Sequence, residues 1–392
     1  MSTKNAVQGT VAEGFEGVRE EFAAVLAEER PGHADAQLAV FAGGRQVVDL
    51  WGGDEITGTT LTSVFSSTKG AAHLVVALLV QEGVLDLDRE VAHYWPEFAA
   101  EGKGALTLRD LLAHRAGVVG ADTGFSDEEL TDDRVIAERL AAQKPYWRPG
   151  TAFGYHALSI GALTGEVVRR ATGRTIQEVF EERVRAPYDL DFYLGLPEEL
   201  EPRVLDILPM DPTPEQQAEL VAGAVSPQSV TGIAFNLSGE RPTDLVALVN
   251  SRPTRAKSPA SFGGVATATG LAKMYAAAIS EVDGRAALLK PDTIAEFGQI
   301  HSDGYDLVVR RRHPFGLGFE TYGDLYPFLG AGAFGHAGAA GSEAFADPRS
   351  GVAYGYARRR FAFPGGPAPE NVRLGAAVLR AATAAAAAGS AG

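Results

Sequence analysis

The sequence predicts an α+β fold in which an antiparallel sheet is assembled from both ends of the chain and interrupted by a helical insertion. Three observations carry that expectation. Alternating apolar residues on either side of Gly43-Gly44 form a hairpin near the start, apolar segments of helical period fill the middle, and strand-like runs return after Pro314. On this reading residues 1–70 and 262–392 form an α/β lobe with the sheet, and 71–261 a mainly helical lobe. A chain of 392 residues is long enough for two such units.

Each element has a local reason. Phe15 to Glu29 places Phe15, Val18, Phe22, Ala23, Val25 and Leu26 close to helical spacing with acids on the remaining face, and Pro31-Gly32 stops the helix. Leu38–Ala42 and Gln46–Trp51 are the hairpin strands. Leu74 to Val80 is a near-continuous apolar run bounded by Gly83, which predicts a buried helix opened by the hydroxyl-rich turn Val64-Phe65-Ser66-Ser67-Thr68-Lys69-Gly70. Val91 to Phe98 is a segment stopped by proline, and Thr107 caps a short helix to His114. Asp127 to Gln143 reads as one charged helix, Leu158 to Ala171 as a helix ending at Gly173, and Ile176 to Val184 as one stopped by Pro187. Leu200 to Pro259 is Pro-rich without a sustained period, so it is expected to form long loops and short helices over a cleft. Gly263 to Thr269 opens a helix over 270–279; Phe315–Glu320, Gly332–Phe345 and Val352–Ala357 are strand-like; Val372 to Ala386 is an Ala-rich closing helix with a short tail.

Composition removes several functions. A net charge of −15 and a pI near 5.0 leave no basic face for nucleic acid. With no cysteine there is no disulfide, thiol nucleophile or Cys-bearing metal site. The first residues lack the apolar core of an export signal and no segment is apolar and long enough to span a bilayer, so a cytoplasmic protein without a membrane partner is expected. Oligomeric state stays open.

Ser66 and Lys69 are three residues apart, which puts both side chains on one face of a first helical turn, where an amine can reach a hydroxyl and take its proton. Ser66 is the only serine followed by lysine at that spacing. The alternative is a serine that merely caps a core helix. Tyr155 stands in the loop Pro149-Gly150-Thr151-Ala152-Phe153-Gly154, just before a helix. A phenol held near an ammonium is expected to have a lowered pKa and to act as base or relay, the alternative being a ring packed at a lobe boundary. Gly335-His336-Ala337-Gly338-Ala339-Ala340-Gly341 is small-residue strand sequence that lets backbone approach a substrate. Its Ala339 N–H, paired with the N–H of Ser66, is the expected oxyanion hole. His336 and Gly338 are the substrate-binding candidates, His336 through a hydrogen bond or a pH-dependent charge unless it is simply structural. Gly330 to Gly335 fits G-x-G-x-x-G but no helix pattern follows; G-x-S-x-G, H-E-x-x-H and the phosphate loop are absent.

Taken together, Ser66-Ser67-Thr68-Lys69, Tyr155-His156-Ala157 and His336-Ala337-Gly338 resemble, in order, the motifs of the serine β-lactamase and penicillin-binding protein superfamily, in its class C-like branch. Leu111-Leu112-Ala113-His114-Arg115-Ala116-Gly117 is similar to that family's L-L-T-H-T-S-G, and Arg148-Pro149-Gly150-Thr151 to its P-G-T. Two departures matter: Ala157 stands where Y-x-N has asparagine, and His336 where K-T-G has lysine. Family VIII carboxylesterases resemble this pattern better. The resemblance implies a β-lactamase-like fold with the active site between the lobes. It also implies a serine carboxylesterase acting on small esters, in which Ser66 forms an acyl-enzyme, Lys69 and Tyr155 handle the proton, and Ser66 and Ala339 hold the oxyanion. No metal or organic cofactor is implied. A β-lactamase or DD-peptidase, and a non-catalytic binding scaffold, are the alternatives.

Overall fold

The computed structural model describes residues 7–30 and 33–389. Its strands are β1 (Gln8–Val11), β2 (Ala36–Ala42), β3 (Arg45–Gly52), β4 (Thr62–Ser63), β5 (Phe192–Tyr193), β6 (Val265–Ala266), β7 (Glu320–Thr321), β8 (Phe334–Ala337), β9 (Glu343–Asp347) and β10 (Val352–Arg358). Seven form one antiparallel sheet in the order β1-β3-β2-β10-β9-β8-β7, and β4-β6-β5 form a second, small sheet. The two chain ends meet where β2 pairs with β10, from Ala36 opposite Arg358 to Ala42 opposite Val352. The β2–β3 hairpin turns on Gly43 and Gly44 at φ +54° and +76°, the two positive values its tight turn requires. This is the α+β architecture expected, with the antiparallel sheet assembled from both ends of the chain.

Four helices place the sheet and the site: α1 (Glu16–Glu28), α2 (Thr68–Gln81), α3 (Ala268–Ile279) and α4 (Glu370–Gly389). α1 and α4 cover one sheet face, burying Val18, Phe22, Leu374 and Val378 against Leu38, Val40 and Tyr354. Arg373 of α4 is paired with Glu21 and Glu28 of α1 at 2.7 Å. The opposite face packs on α3 and α2, and one apolar cluster runs from Ala39 and Ala353 of the sheet through α2 to Leu163 and Phe180 of the helical segment. α2 is thus enclosed on all sides, with every residue from Thr68 to Leu79 buried.

Several elements differ from the sequence expectation. Asp127–Gln143 is two helices, because Ser126 caps the first and the Asp132 side chain accepts the Arg134 N–H to start a second at Asp133. The segment from Ile176 runs through Pro187 to Tyr188, a π-type turn over Glu181–Arg185 widening the spiral before the proline ring. Only Glu320 and Thr321 of the run after Pro314 pair as a strand, since Phe315 bonds Ser302 and the chain turns back so that Gly316 N–H meets Phe319 O. Gly332–Phe345 is β8 and β9 around a tight loop. β1 and the helix Pro291–Gly298 had no clear pattern in the sequence. The stop at Pro31-Gly32 and the end of the tail lie outside the described residues. Among the described residues no helix is long and apolar enough to cross a membrane.

Candidate active site

β4 leads into a 3-10 turn, Phe65–Ser67, that runs directly into α2. Phe65 sits at φ +47°, a left-handed conformation costly for a bulky residue, and is held there by burial and by an edge contact with Phe361 at 5.7 Å. The strained turn lifts Ser66 into a partly exposed position while Lys69, one turn on, is fully buried. Lys69 Nζ lies 2.9 Å from Ser66 Oγ and donates to the carbonyl oxygens of Ala157 at 2.7 Å and Ser261 at 2.8 Å. Burial drives the Lys69 pKa well below the ordinary lysine value, with Glu320 opposing. A neutral amine here spends its two N–H groups on the carbonyls and keeps its lone pair for Ser66. Such an amine can accept the Ser66 proton.

Tyr155 joins the pair, its ring centroid 4.8 Å from Lys69 Nζ and its hydroxyl within electrostatic reach of Ser66. The ring stacks on Phe315 at 5.9 Å and lies 5.5 Å from His114. His114, at φ +60°, accepts the His156 N–H on Nδ1 at 3.0 Å, so the Leu111–Gly117 motif forms the bed beneath the tyrosine loop. The expected lowering of the Tyr155 pKa is corrected. Full burial pushes it well above the ordinary phenol value, and the carboxylates of Glu320 and Asp306 add to that, outweighing the lowering by the Ser66 side chain. Tyr155 is therefore a neutral phenol.

The third stretch is stitched to the Ser66 turn. Ser67 Oγ donates to His336 O at 3.1 Å, and Ser342 Oγ to Val64 O at 2.9 Å. At Gly338 a side chain would lie 2.4 Å from Val64 O, so glycine is what lets the loop close on the turn. Ala339 follows, half-buried, with its carbonyl accepting the Gly366 N–H and its own N–H without an acceptor among the described residues. His336 is 1% exposed, its Nδ1 is 2.8 Å from Ala337 O, and its ring is 5.8 Å from that of Tyr155. Burial lowers its pKa to about 4, so the imidazole is neutral at pH 7 and brings no cation to the site.

Sequence reasoning missed a second layer. Both carboxylate oxygens of Asp306 accept the Tyr155 N–H at 3.1 Å; Asp306 Oδ2 is 3.5 Å from His313 Nδ1; His313 Nε2 is 3.0 Å from Glu320 Oε1; and Glu320 Oε2 accepts the Ala337 N–H at 2.9 Å. Burial disfavours the His313 imidazolium, yet its two carboxylate partners raise its pKa to about 9. Burial likewise opposes the Glu320 carboxylate, but His336, His313 and the Ala337 N–H hold it at about 2. These residues sit in loops and a two-residue strand, without periodicity or motif to mark them. Ser261 is equally silent, because it acts through its backbone carbonyl.

A family model described as Beta-lactamase matches residues 18–377. The Esterase/beta-lactamase LipL of Mycobacterium tuberculosis (strain ATCC 25618 / H37Rv) is 33% identical over 348 residues, 83% of this chain and 77% of that protein. Among solved structures, EstA from Arthrobacter nitroguajacolicus Rue61a superposes with a TM-score of 0.88 at 41% identity, covering 97% of this chain and 99% of that one. A family VIII carboxylesterase superposes at 0.84 with 32% identity, covering 96% and 100%.

Proposed function

Since the chain belongs to the Beta-lactamase family and is a serine hydrolase, we propose that it is a carboxylesterase that hydrolyses small carboxylic esters through an acyl-enzyme on Ser66. The observation that carries this reading is the buried Lys69 amine, 2.9 Å from Ser66 Oγ and fixed by two carbonyls. As Ser66 Oγ attacks the ester carbon, its proton passes to Lys69 Nζ. The carbonyl oxygen takes up the negative charge between the N–H groups of Ser66 and Ala339. The proton then travels from the Lys69 ammonium through the Tyr155 hydroxyl to the leaving alkoxide, the C–O bond breaks, and alcohol departs. Water repeats the sequence on the acyl-enzyme, with Lys69 taking its proton and Ser66 Oγ leaving with one.

Esters are favoured over lactams by what surrounds His336 and Ala157. The resemblance to β-lactamases places a lysine at 336 to hold a substrate carboxylate, whereas this imidazole is neutral, buried, and 3.9 Å from the Glu320 carboxylate. Ala157 has no amide to offer, and its carbonyl is already bonded to Lys69. An anionic lactam would meet negative potential at this wall; a neutral ester would not.

Steady-state hydrolysis of p-nitrophenyl acetate and butyrate, set beside nitrocefin, tests the reading. Ester turnover that vanishes in a folded Ser66→Ala variant is the expected result. Turnover surviving that substitution removes Ser66 as nucleophile, and nitrocefin turned over as fast as esters removes the ester preference.

A further inference from the structure

We infer that Asp306, His313 and Glu320 are positioning residues for this hydrolysis, a buried chain that locks the Tyr155 loop to the oxyanion strand and surrounds the Ser66–Lys69 pair with net negative charge. The inference rests on the esterase reading and extends it to groups that contact none of the reacting atoms.

The chain runs from one active-site backbone to the other through hydrogen bonds and one ion pair, the 3.5 Å contact between Asp306 and His313. It begins at the Tyr155 N–H, passes through the Asp306 carboxylate, the His313 imidazolium and the Glu320 carboxylate, and ends at the Ala337 N–H. Tyr155 is the proposed proton relay; Ala337 lies two residues before the proposed oxyanion donor, Ala339. Asp306 is further fixed by the N–H groups of Val308 at 2.7 Å and Val309 at 3.0 Å, and Glu320 by the Tyr322 hydroxyl at 3.4 Å. Phe315 wedges between, stacked on Tyr155 at 5.9 Å and packed on the His313 ring at 4.4 Å. All three charged side chains are buried.

A buried ion triad is a poor source of stability, because desolvation offsets most of the attraction and apolar residues of equal volume serve as well. Each end of this one instead terminates on a backbone N–H whose placement decides catalytic geometry. The charges matter too. Two carboxylates around one imidazolium leave a net negative charge facing Lys69 and Tyr155. That field stabilises the ammonium formed when Lys69 takes the serine proton, and it penalises a tyrosinate. The division of labour follows: lysine accepts, tyrosine passes on.

The test uses the full-length protein with His313→Gln and Glu320→Gln, which keep volume but break the ionic link. The expected result is a fall in kcat for p-nitrophenyl butyrate of about 10²-fold, the scale of an ångström-level misplacement, with KM changed by less than about threefold. Covalent labelling of Ser66 by an organophosphonate should slow in parallel, with far-UV circular dichroism unchanged. A folded variant with wild-type kcat and labelling rate overturns the inference. Should both variants unfold, the wild-type protein answers by ¹⁵N-histidine NMR at pH 7: His313 with both ring nitrogens protonated upholds the chain, and a bare ring nitrogen refutes it. Wild-type protein that never labels at Ser66 defeats the esterase reading itself, which separates that failure from this one.

Discussion

Gly338 offers a direct measurement of how closely the oxyanion loop must sit on the Ser66 turn. A Cβ added at 338 would lie 2.2 Å from Ser342 Oγ and 2.4 Å from Val64 O. The serine hydroxyl can rotate away. The carbonyl cannot, because it belongs to the turn that presents Ser66 and already accepts from Ser342. Ordinary contact begins near 3.4 Å, so Gly338→Ala must move loop and turn apart by about 1 Å. Crowding of that kind costs about 1–3 kcal/mol in stability, while an ångström of misplacement at a reacting centre costs about 10²-fold in rate. Gly338→Ala should therefore remain folded yet lose about two orders of magnitude in kcat on p-nitrophenyl butyrate. Gly332→Ala is the matched control, with nothing within 4 Å of its added Cβ and no positive φ to strain. The assay is steady-state ester turnover with a thermal melt on each variant. A folded Gly338→Ala enzyme turning over like the control would show that Ala339 does not hold the oxyanion where proposed.

Two pH experiments follow from the buried charges. If neutral Lys69 is the base, kcat/KM rises as pH climbs through its pKa, which burial sets well below the ordinary lysine value, while Tyr155 stays protonated to well above pH 10; an acid limb centred near 10.5 in the pH–rate profile would contradict this. His313 has its pKa raised from 6.5 to about 9, so its contribution to stability is complete below pH 6.5 and is lost as pH rises through about 9. Urea melts should show the advantage of wild type over His313→Gln shrinking across that window by a few kcal/mol, on the order of 1.4 per pKa unit, and an advantage constant from pH 6 to 10 would argue against an imidazolium held between carboxylates.

Much of the fold was legible because its determinants are local. Gly43-Gly44 marks a tight hairpin turn, both glycines taking the positive φ it needs, and the apolar run after Ser66 is too continuous for a half-exposed helix. What escaped was settled by contacts distant in sequence. Asp132 looked like one more acid on a charged helix, yet its side chain caps a new one. The Phe315–Glu320 run has strand composition, but Gly318, at φ +79°, turns the chain against the His73 ring, and pairing starts only at Glu320. The segment after Leu200 carries short capped helices such as Pro214–Ala222 and Val230–Ala234, each opened by its own Thr or Ser and too brief to show a period.

The site divides along the same line, and the Tyr155 correction shows why. Ser66 and Lys69 meet because a helical turn brings positions three apart together, which the sequence states outright. From that pair alone an ammonium beside a phenol argues for a lowered pKa. Folding changes both premises: Lys69 loses its water and with it the tendency to be charged, while Asp306 arrives at the Tyr155 N–H from 151 positions away and Glu320 approaches across β8. The pairing of Ser66 with Lys69 is thus a local property of this sequence. The protonation states of Lys69 and Tyr155 are set first by burial, which lowers the Lys69 pKa against the pull of the Glu320 carboxylate and, with Glu320 and Asp306 adding to it, raises that of Tyr155.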